Sequence, residues 1–139
     1  MASKVGNRTY NFSLVVPEDR AEEVEKRFAD HGAWMRETHK LYSAADPNYG
    51  MLGSLVDYYV SKSTELKNPL DPEEGTTGNI LYSLNEVYTG IAGTEAHMAA
   101  VPYDASWWDP FLASFMASEP RMIMHGEIIQ CMLLHTSHV

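Results

Sequence analysis

The chain has very little cysteine: Cys131 is the single one among its 139 residues. An intrachain disulfide is therefore impossible, and a zinc site built from several cysteines is excluded. Basic residues are also scarce, since 10 Lys and Arg stand against 19 Asp and Glu, and the formal net charge is −9. Binding to a nucleic-acid backbone or to an anionic membrane surface needs a basic patch, so we expect neither partner.

The sequence also lacks long hydrophobic runs. None approaches the roughly 18 residues of a membrane-spanning helix, and the first six residues lack the apolar core of a signal peptide. We therefore expect a cytoplasmic protein. Its length fits a single domain over residues 1–139, and its 45% hydrophobic and 21% charged residues are typical of a globular fold. Eight Met, eight Tyr and three Trp suit either an ordinary core or a small-molecule pocket.

Periodicity along the chain predicts six elements. Strand patterns occupy Tyr10–Val16, Leu55–Leu66, Ile80–Tyr88 and Met122–Leu134. Helical spacing occupies Glu18–His39 and a second region that opens at Thr94, is interrupted by Pro102, and resumes from Ser106 to Ser118. The order βαββαβ predicts an α+β, ferredoxin-like domain, in which two helices cover one face of a four-stranded antiparallel sheet.

The last strand predicts how the domain assembles. Two helices cover only one sheet face, and in a monomer we expect the other face to be polar. Here Met122 and Met124 alternate with Ile123, and the apolar residues continue on both faces through Ile128 and Ile129. A bare apolar face marks an association site, so we expect a homodimer or a higher even oligomer that pairs through its sheets. The alternative is a tail or long loop folded over that face.

A short motif carries a family resemblance. The segment Leu81–Tyr88, LYSLNEVY, is followed closely by Thr94–Ala100, TEAHMAA. Together they resemble the dimeric α/β-barrel superfamily, in particular its antibiotic-biosynthesis-monooxygenase type, in which such a strand leads into a helix with a histidine. The resemblance implies a homodimer. It leaves the reaction open, because the superfamily includes cofactor-independent and haem-degrading oxygenases, cyclases, isomerases, dehydratases and proteins without a known reaction.

Two residues of this motif are candidate catalytic groups. His97 falls on the helix histidine of the resemblance, and the ordinary pKa of histidine, about 6.5, suits proton transfer. Glu86 shares its strand face with Tyr82 and Leu84, and a carboxylate on an apolar face needs a partner or a raised pKa. We predict that His97 acts as acid and base and that Glu86 orients it. The alternative is a purely structural pair.

The first helix carries two more histidines. His31, Met35 and His39 follow at i, i+4 and i+8 on one helical stripe. Within a continuous helix His31 and His39 lie about 12 Å apart, so they cannot chelate one ion alone. No three-ligand set appears at workable spacing, which predicts a protein without a bound metal. We instead expect the two histidines to line a substrate pocket together with aromatic walls formed by Trp34, Tyr82 and Trp108.

These features favour an enzyme that acts on a small aromatic or polyketide-like molecule without a metal or an organic cofactor. Oxygenation, cyclisation, isomerisation and dehydration all remain open. The alternative is a non-catalytic dimer that binds a small ligand or serves a stress response. An open, polar-lined cleft favours the enzyme, and a cleft filled by Met and Trp side chains favours the alternative.

Overall fold

A computed structural model describes residues 5–43 and 51–133. Within these ranges the chain forms four strands and three α-helices. They are β1 (Arg8–Pro17), α1 (Ala21–Thr38), β2 (Leu55–Leu66), β3 (Thr76–Tyr88), α2 (Ile91–Ala99), α3 (Trp108–Met116) and β4 (Arg121–Glu127). Short 3₁₀ helices occupy Glu18–Arg20, Met51–Ser54 and Pro72–Glu74. None of the helices in these ranges is long and apolar enough to cross a membrane.

The strands form one sheet in the order β2-β3-β1-β4, and each neighbouring pair is antiparallel. Strands β1 and β3 are central, and their register pairs Phe12 with Leu84 and Leu14 with Tyr82. Alternate residues of a strand point to the same face, so these four side chains all face the helices. The predicted ferredoxin-like α+β fold is confirmed.

The main core lies between this sheet face and helices α1 and α3. Phe12 is at its centre, with ring centroids 4.6 Å from Phe115 of α3 and 6.1 Å from Phe28 of α1. Val24 and Phe111 complete the helical side. Full burial of such a side chain stabilises the fold by about 1.5–3 kcal/mol. The alternation of apolar residues in β1 and β3 therefore decides which sheet face the helices cover.

The second helical region differs in its boundaries from the prediction. Helix α2 begins at Ile91 rather than at Thr94, and the Thr94 hydroxyl donates a hydrogen bond to the Ile91 carbonyl inside the first turn. Threonine and serine in this position bond the helix backbone instead of capping it, which the sequence pattern does not distinguish. Helix α3 begins at Trp108 and ends at Met116, inside the predicted range of Ser106 to Ser118.

Strand β4 ends at Glu127 and is therefore much shorter than the predicted strand, which extends to Leu134. Its pairing with β1 becomes irregular beside Thr9, and His125 has a positive φ of 54°. Gly126 lies so close to the Thr9 side chain that a Cβ at this position would collide with it. Glu127 pairs with Arg8, the first residue of β1, so β4 loses its partner strand there and does not reach the predicted Leu134. Leu134 itself lies outside the described residues.

The uncovered sheet face is not uniformly apolar, which corrects the expectation drawn from the last strand. Its centre carries Asn11, Ser13, Ser83 and Asn85, which line one shallow groove. The Asn11 side-chain amide donates to Asn85 Oδ1 at 2.7 Å. The outward-facing positions of β1 and β3 are thus largely polar, and on this face large exposed side chains such as Ile123 gather at the β4 edge.

Candidate active site

Glu86 lies fully buried on the helix-covered face of β3. The strand register places Tyr10 of β1 and Tyr58 of β2 on either side of it. Tyr88, two residues along the same face, donates its hydroxyl to Glu86 Oε1 at 2.7 Å. The second oxygen, Oε2, has no hydrogen-bond partner among the described residues. A buried polar atom without a partner lowers stability, so this carboxyl group is a candidate for a functional role.

Two histidines from different helices converge on Glu86. His97 of α2 places Nδ1 at 3.2 Å from Glu86 Oε1, which brings the two predicted catalytic residues together. His31 of α1 places Nε2 at 3.8 Å from Glu86 Oε2. The three ligand-type atoms all lie within 4.8 Å of one another, and all three residues are buried. We call His31, Glu86 and His97 the His–Glu–His cluster.

His39 joins the edge of this cluster. Helix α1 ends at Thr38, and the backbone at His39 is extended, with φ −103° and ψ 160°. The ring therefore turns back, and its Nε2 lies 3.0 Å from His97 Nδ1. The distance calculated for a continuous helix does not apply after this bend. Moreover, the premise that no three-ligand set exists is wrong, because His31, Glu86 and His97 come together from three separate elements.

Aromatic rings close the cluster. The ring centroids of Trp34 and His97 are 5.5 Å apart, and Phe111 stacks on His31 at 5.4 Å. Trp107 completes this cover, at 6.2 Å from Trp34. Only 2% of His97 and 4% of His31 is exposed. A ligand that reaches the cluster must therefore displace a side chain that covers it.

Two of the predicted wall residues lie away from His97. Trp108 packs its ring against Tyr103 and Phe111, at centroid distances of 5.5 Å and 5.7 Å. The preceding residue, Trp107, takes the place beside the histidines instead. Tyr82 donates its hydroxyl to Glu25 Oε2 at 2.7 Å, at the rim of a groove. Contact of Tyr82 or Trp108 with a substrate stays a prediction.

Sequence reasoning missed five aromatic members of the site: Tyr10, Tyr58, Tyr88, Trp107 and Phe111. A signal existed for Tyr88, because a residue two positions from Glu86 in a strand shares its face. Tyr10 and Tyr58 reach Glu86 only through the strand register. No local pattern indicates that register.

Two surface grooves lie beside the cluster. One, of about 420 Å³ between α1 and β2, is lined by Phe28, Gly32, Tyr58 and Tyr82 among others. The other, of about 380 Å³, is lined in part by His39 and again by Tyr58. The Tyr58 hydroxyl lies 3.1 Å from His31 Nδ1. Tyr58 and His39 therefore connect the grooves with the buried groups.

Burial controls the protonation of these groups. It raises the pKa of Glu86 to about 8, although the hydrogen bond from Tyr88 acts in the opposite direction. Burial lowers the pKa of His97 and of His31 to about 3, and that of His39 to about 4; the neighbouring histidines add to the effect on His97. The ordinary value of about 6.5 expected for His97 is therefore corrected. The uncharged imidazoles keep a lone pair available to accept a proton or bind a metal.

No family model and no curated protein match this chain. Two solved structures are similar to it. A "Putative antibiotic biosynthesis monooxygenase from Nitrosomonas europaea" is 9% identical, with 93% of this chain and 97% of that chain covered and a TM-score of 0.48. A protein of the same description from Bacteriodes thetaiotaomicron VPI-5482 is 11% identical, with 92% and 94% covered and a TM-score of 0.48. Both carry the family name that the sequence motif suggested, and the similarity concerns the fold alone.

Proposed function

We propose that this protein is an enzyme that acts on a small molecule and that Glu86 and His97 are its reactive pair. The observation that carries the proposal is the fully buried carboxyl group of Glu86. Its Oε1 atom lies 3.2 Å from the buried imidazole of His97, and its Oε2 atom has no hydrogen-bond partner among the described residues. A core selected for stability alone would replace such groups with apolar side chains, because buried polar networks rarely improve stability over well-packed hydrophobic residues. The presence of this pair in the core therefore favours a chemical role.

The geometry supports proton transfer. An imidazole nitrogen within hydrogen-bonding distance of a carboxyl group can accept a proton from a substrate while the carboxyl group orients the ring. His97 would take the proton from the substrate and pass it to Glu86, whose pKa of about 8 makes its carboxylate the stronger base of the pair, and Glu86 would hold His97 in place. The substrate would carry a C–H or O–H group made acidic by a neighbouring carbonyl, as in aromatic and polyketide-like compounds. Trp34 and Trp107 offer flat faces against which such a molecule could stack.

The exposed apolar residues at one sheet edge support a homodimer. In β4, 58% of Ile123 and 45% of Met124 is exposed, and 75% of Ile129 is exposed just beyond the strand. A second copy would cover these side chains by pairing about a two-fold axis. The polar centre of the open face would then lie inside the dimer.

A second candidate function is the non-catalytic binding of a small ligand. The observation that favours it is the closed state of the site, in which Trp34 and Phe111 pack on the histidines. A substrate must open this cover before it can reach His97. A protein that binds its ligand only in the outer groove, at Tyr58 and His39, has no such requirement.

Product analysis by mass spectrometry tests the proposal. The protein would be incubated with a panel of aromatic and polyketide-like carbonyl compounds, and any conversion would be compared between wild type and variants. For a converted compound we expect His97→Ala to lower the rate by about 10²–10⁴-fold, and Glu86→Gln to lower it less. Circular dichroism would confirm that both variants remain folded.

The matched control is Glu95→Gln, which makes the same chemical change at an exposed position on α2. We expect it to leave the rate unchanged. Full specific activity in folded His97→Ala would refute the assignment of the reactive pair. Binding of panel compounds without any conversion would favour the second candidate function.

A further inference from the structure

We infer that the His–Glu–His cluster binds one divalent transition-metal ion, with His31 Nε2, the Glu86 carboxylate and His97 Nδ1 as ligands. The inference rests on the proposed function only in placing the functional centre at this cluster. It goes beyond that function, because proton transfer requires no metal, and an ion bonded to His97 Nδ1 would occupy the nitrogen through which Glu86 orients the ring.

The distances fit a shared ion. Two ligands bonded to zinc at about 2.0–2.2 Å lie roughly 3.3 Å apart in a tetrahedral site. The Nδ1 atom of His97 and Oε1 of Glu86 are 3.2 Å apart, and His31 Nε2 and Glu86 Oε2 are 3.8 Å apart. All three ligand atoms lie within 4.8 Å of one another, so they would have to draw closer together to bond one ion.

The unpartnered oxygen supplies an independent observation. Glu86 Oε2 is buried and has no hydrogen-bond partner in the described part of the chain, yet it faces His31 Nε2 across 3.8 Å. That separation is too long for a hydrogen bond. A cation between the two atoms would satisfy both of them. Two imidazole nitrogens and one carboxylate suit zinc, iron, nickel or copper better than magnesium or calcium, which prefer oxygen ligands only.

Groups outside the three ligands also have the arrangement that a metal site needs. A metal-binding histidine usually hydrogen-bonds through its other ring nitrogen, and a metal-binding carboxylate is itself hydrogen-bonded. Tyr58 contacts His31 Nδ1 at 3.1 Å, which leaves Nε2 directed toward Glu86. Tyr88 donates to Glu86 Oε1 at 2.7 Å. His39 Nε2, 3.0 Å from His97 Nδ1, is placed to act as a fourth ligand.

Metal titration tests the inference. The full-length protein would be stripped with a chelator and titrated with Zn²⁺ and with Co²⁺, by calorimetry and by the visible absorption of bound Co²⁺. We expect one ion per chain and no comparable binding of Mg²⁺. We expect Glu86→Gln and His31→Gln each to weaken Zn²⁺ binding by more than about 100-fold, and Tyr58→Phe to weaken it by about 10–100-fold.

Two control variants keep the test specific. Glu95→Gln removes an exposed carboxylate from α2, and His125→Gln removes a histidine whose Nδ1 contacts Thr94 rather than the cluster. Both should bind Zn²⁺ as the wild type does. Because a ligand variant could fail to fold, circular dichroism accompanies each titration, and Tyr58→Phe gives a readout that leaves the three ligands in place.

Three outcomes would overturn the inference: no stoichiometric Zn²⁺ or Co²⁺ binding by the wild type, unchanged binding by folded Glu86→Gln and His31→Gln, or equal losses in the controls. The same experiments distinguish a failure of the metal inference from a failure of the proposed function. If no metal binds but His97→Ala abolishes turnover, the metal inference is wrong and the reactive pair stands. If metal binds at the cluster but folded His97→Ala retains full turnover, the ion has another role and the reactive pair is wrong.

Discussion

Substitution of Glu86 by Met and of Tyr88 by Phe, singly and together, tests whether the buried network holds in solution. The Tyr88 hydroxyl is buried and donates to Glu86 Oε1 at 2.7 Å. Glu86→Met leaves this hydroxyl without its acceptor, and Tyr88→Phe removes the hydroxyl donor from Oε1, which then keeps only His97 Nδ1 at 3.2 Å. A buried group left unpaired costs about 1–3 kcal/mol, so each single variant should lower the free energy of unfolding by about that amount.

The double variant removes donor and acceptor together. Replacement of both partners by apolar groups of similar shape is often close to neutral. We therefore expect its loss of stability to fall short of the sum of the two single losses by about 1–3 kcal/mol, the cost of leaving one buried group unpaired. Urea denaturation followed by circular dichroism measures this difference. A chelator and a fixed protein concentration are needed, because metal binding and dimer formation also shift stability.

A second pair provides the matched control. Tyr82 donates to Glu25 Oε2 at 2.7 Å, but 44% of the Glu25 side chain is exposed. Because the exposed Glu25 carboxylate can bond water and Lys62 in place of Tyr82, the cycle of Tyr82→Phe and Glu25→Gln should give a coupling below about 1 kcal/mol. Additivity within about 0.5 kcal/mol at Glu86 and Tyr88 would refute the reasoning, because it would show that the two groups are not paired in solution.

Two further predictions concern assembly and the placement of α2. Sedimentation should give a mass of about twice the 15.6 kDa of the monomer. The Ile129→Asp variant should give monomer or aggregate, since 75% of Ile129 is exposed in the single chain. A wild-type monomer at every concentration would contradict the proposed dimer. Gly93→Ala should lower the free energy of unfolding by about 1–3 kcal/mol in urea denaturation, because the added Cβ would lie 2.9 Å from Tyr88 Cβ and collide with Ser54 Oγ. Gly90→Ala is its control, since a Cβ there meets nothing within 4 Å, and equal stability of the two variants would contradict the close packing of α2 on β3.

The sequence alone determined the order of the helices and strands and which side chains of the inner strands lie on the buried face. Leu55–Leu66 was predicted with the bounds that β2 has, and the shared parity of Glu86, Leu84 and Tyr82 placed all three on the buried face. Both results depend on local periodicity, because a strand alternates its side chains whatever it later pairs with. The proximity of Glu86 to His97 followed from the short connection between β3 and α2.

Local patterns failed where a distant contact decides the conformation. Strand β4 ends at Glu127, which pairs with Arg8, the first residue of β1 and more than a hundred residues away in sequence. Of two adjacent tryptophans, Trp107 rather than Trp108 meets the histidines. The neighbouring positions of a helix differ by about 100° in direction, and only the packing angle of α3 selects between them.

The composition of the site was decided by tertiary structure. His39 meets His97 across 58 residues and His31 meets Tyr58 across 27. The first contact depends on where α1 stops, and the second on how α1 lies over β2. Strand register then aligns Tyr10 and Tyr58 with Glu86. Register and helix packing are set by long-range pairing and by burial of the whole core, so sequence spacing alone could not reveal a three-ligand cluster.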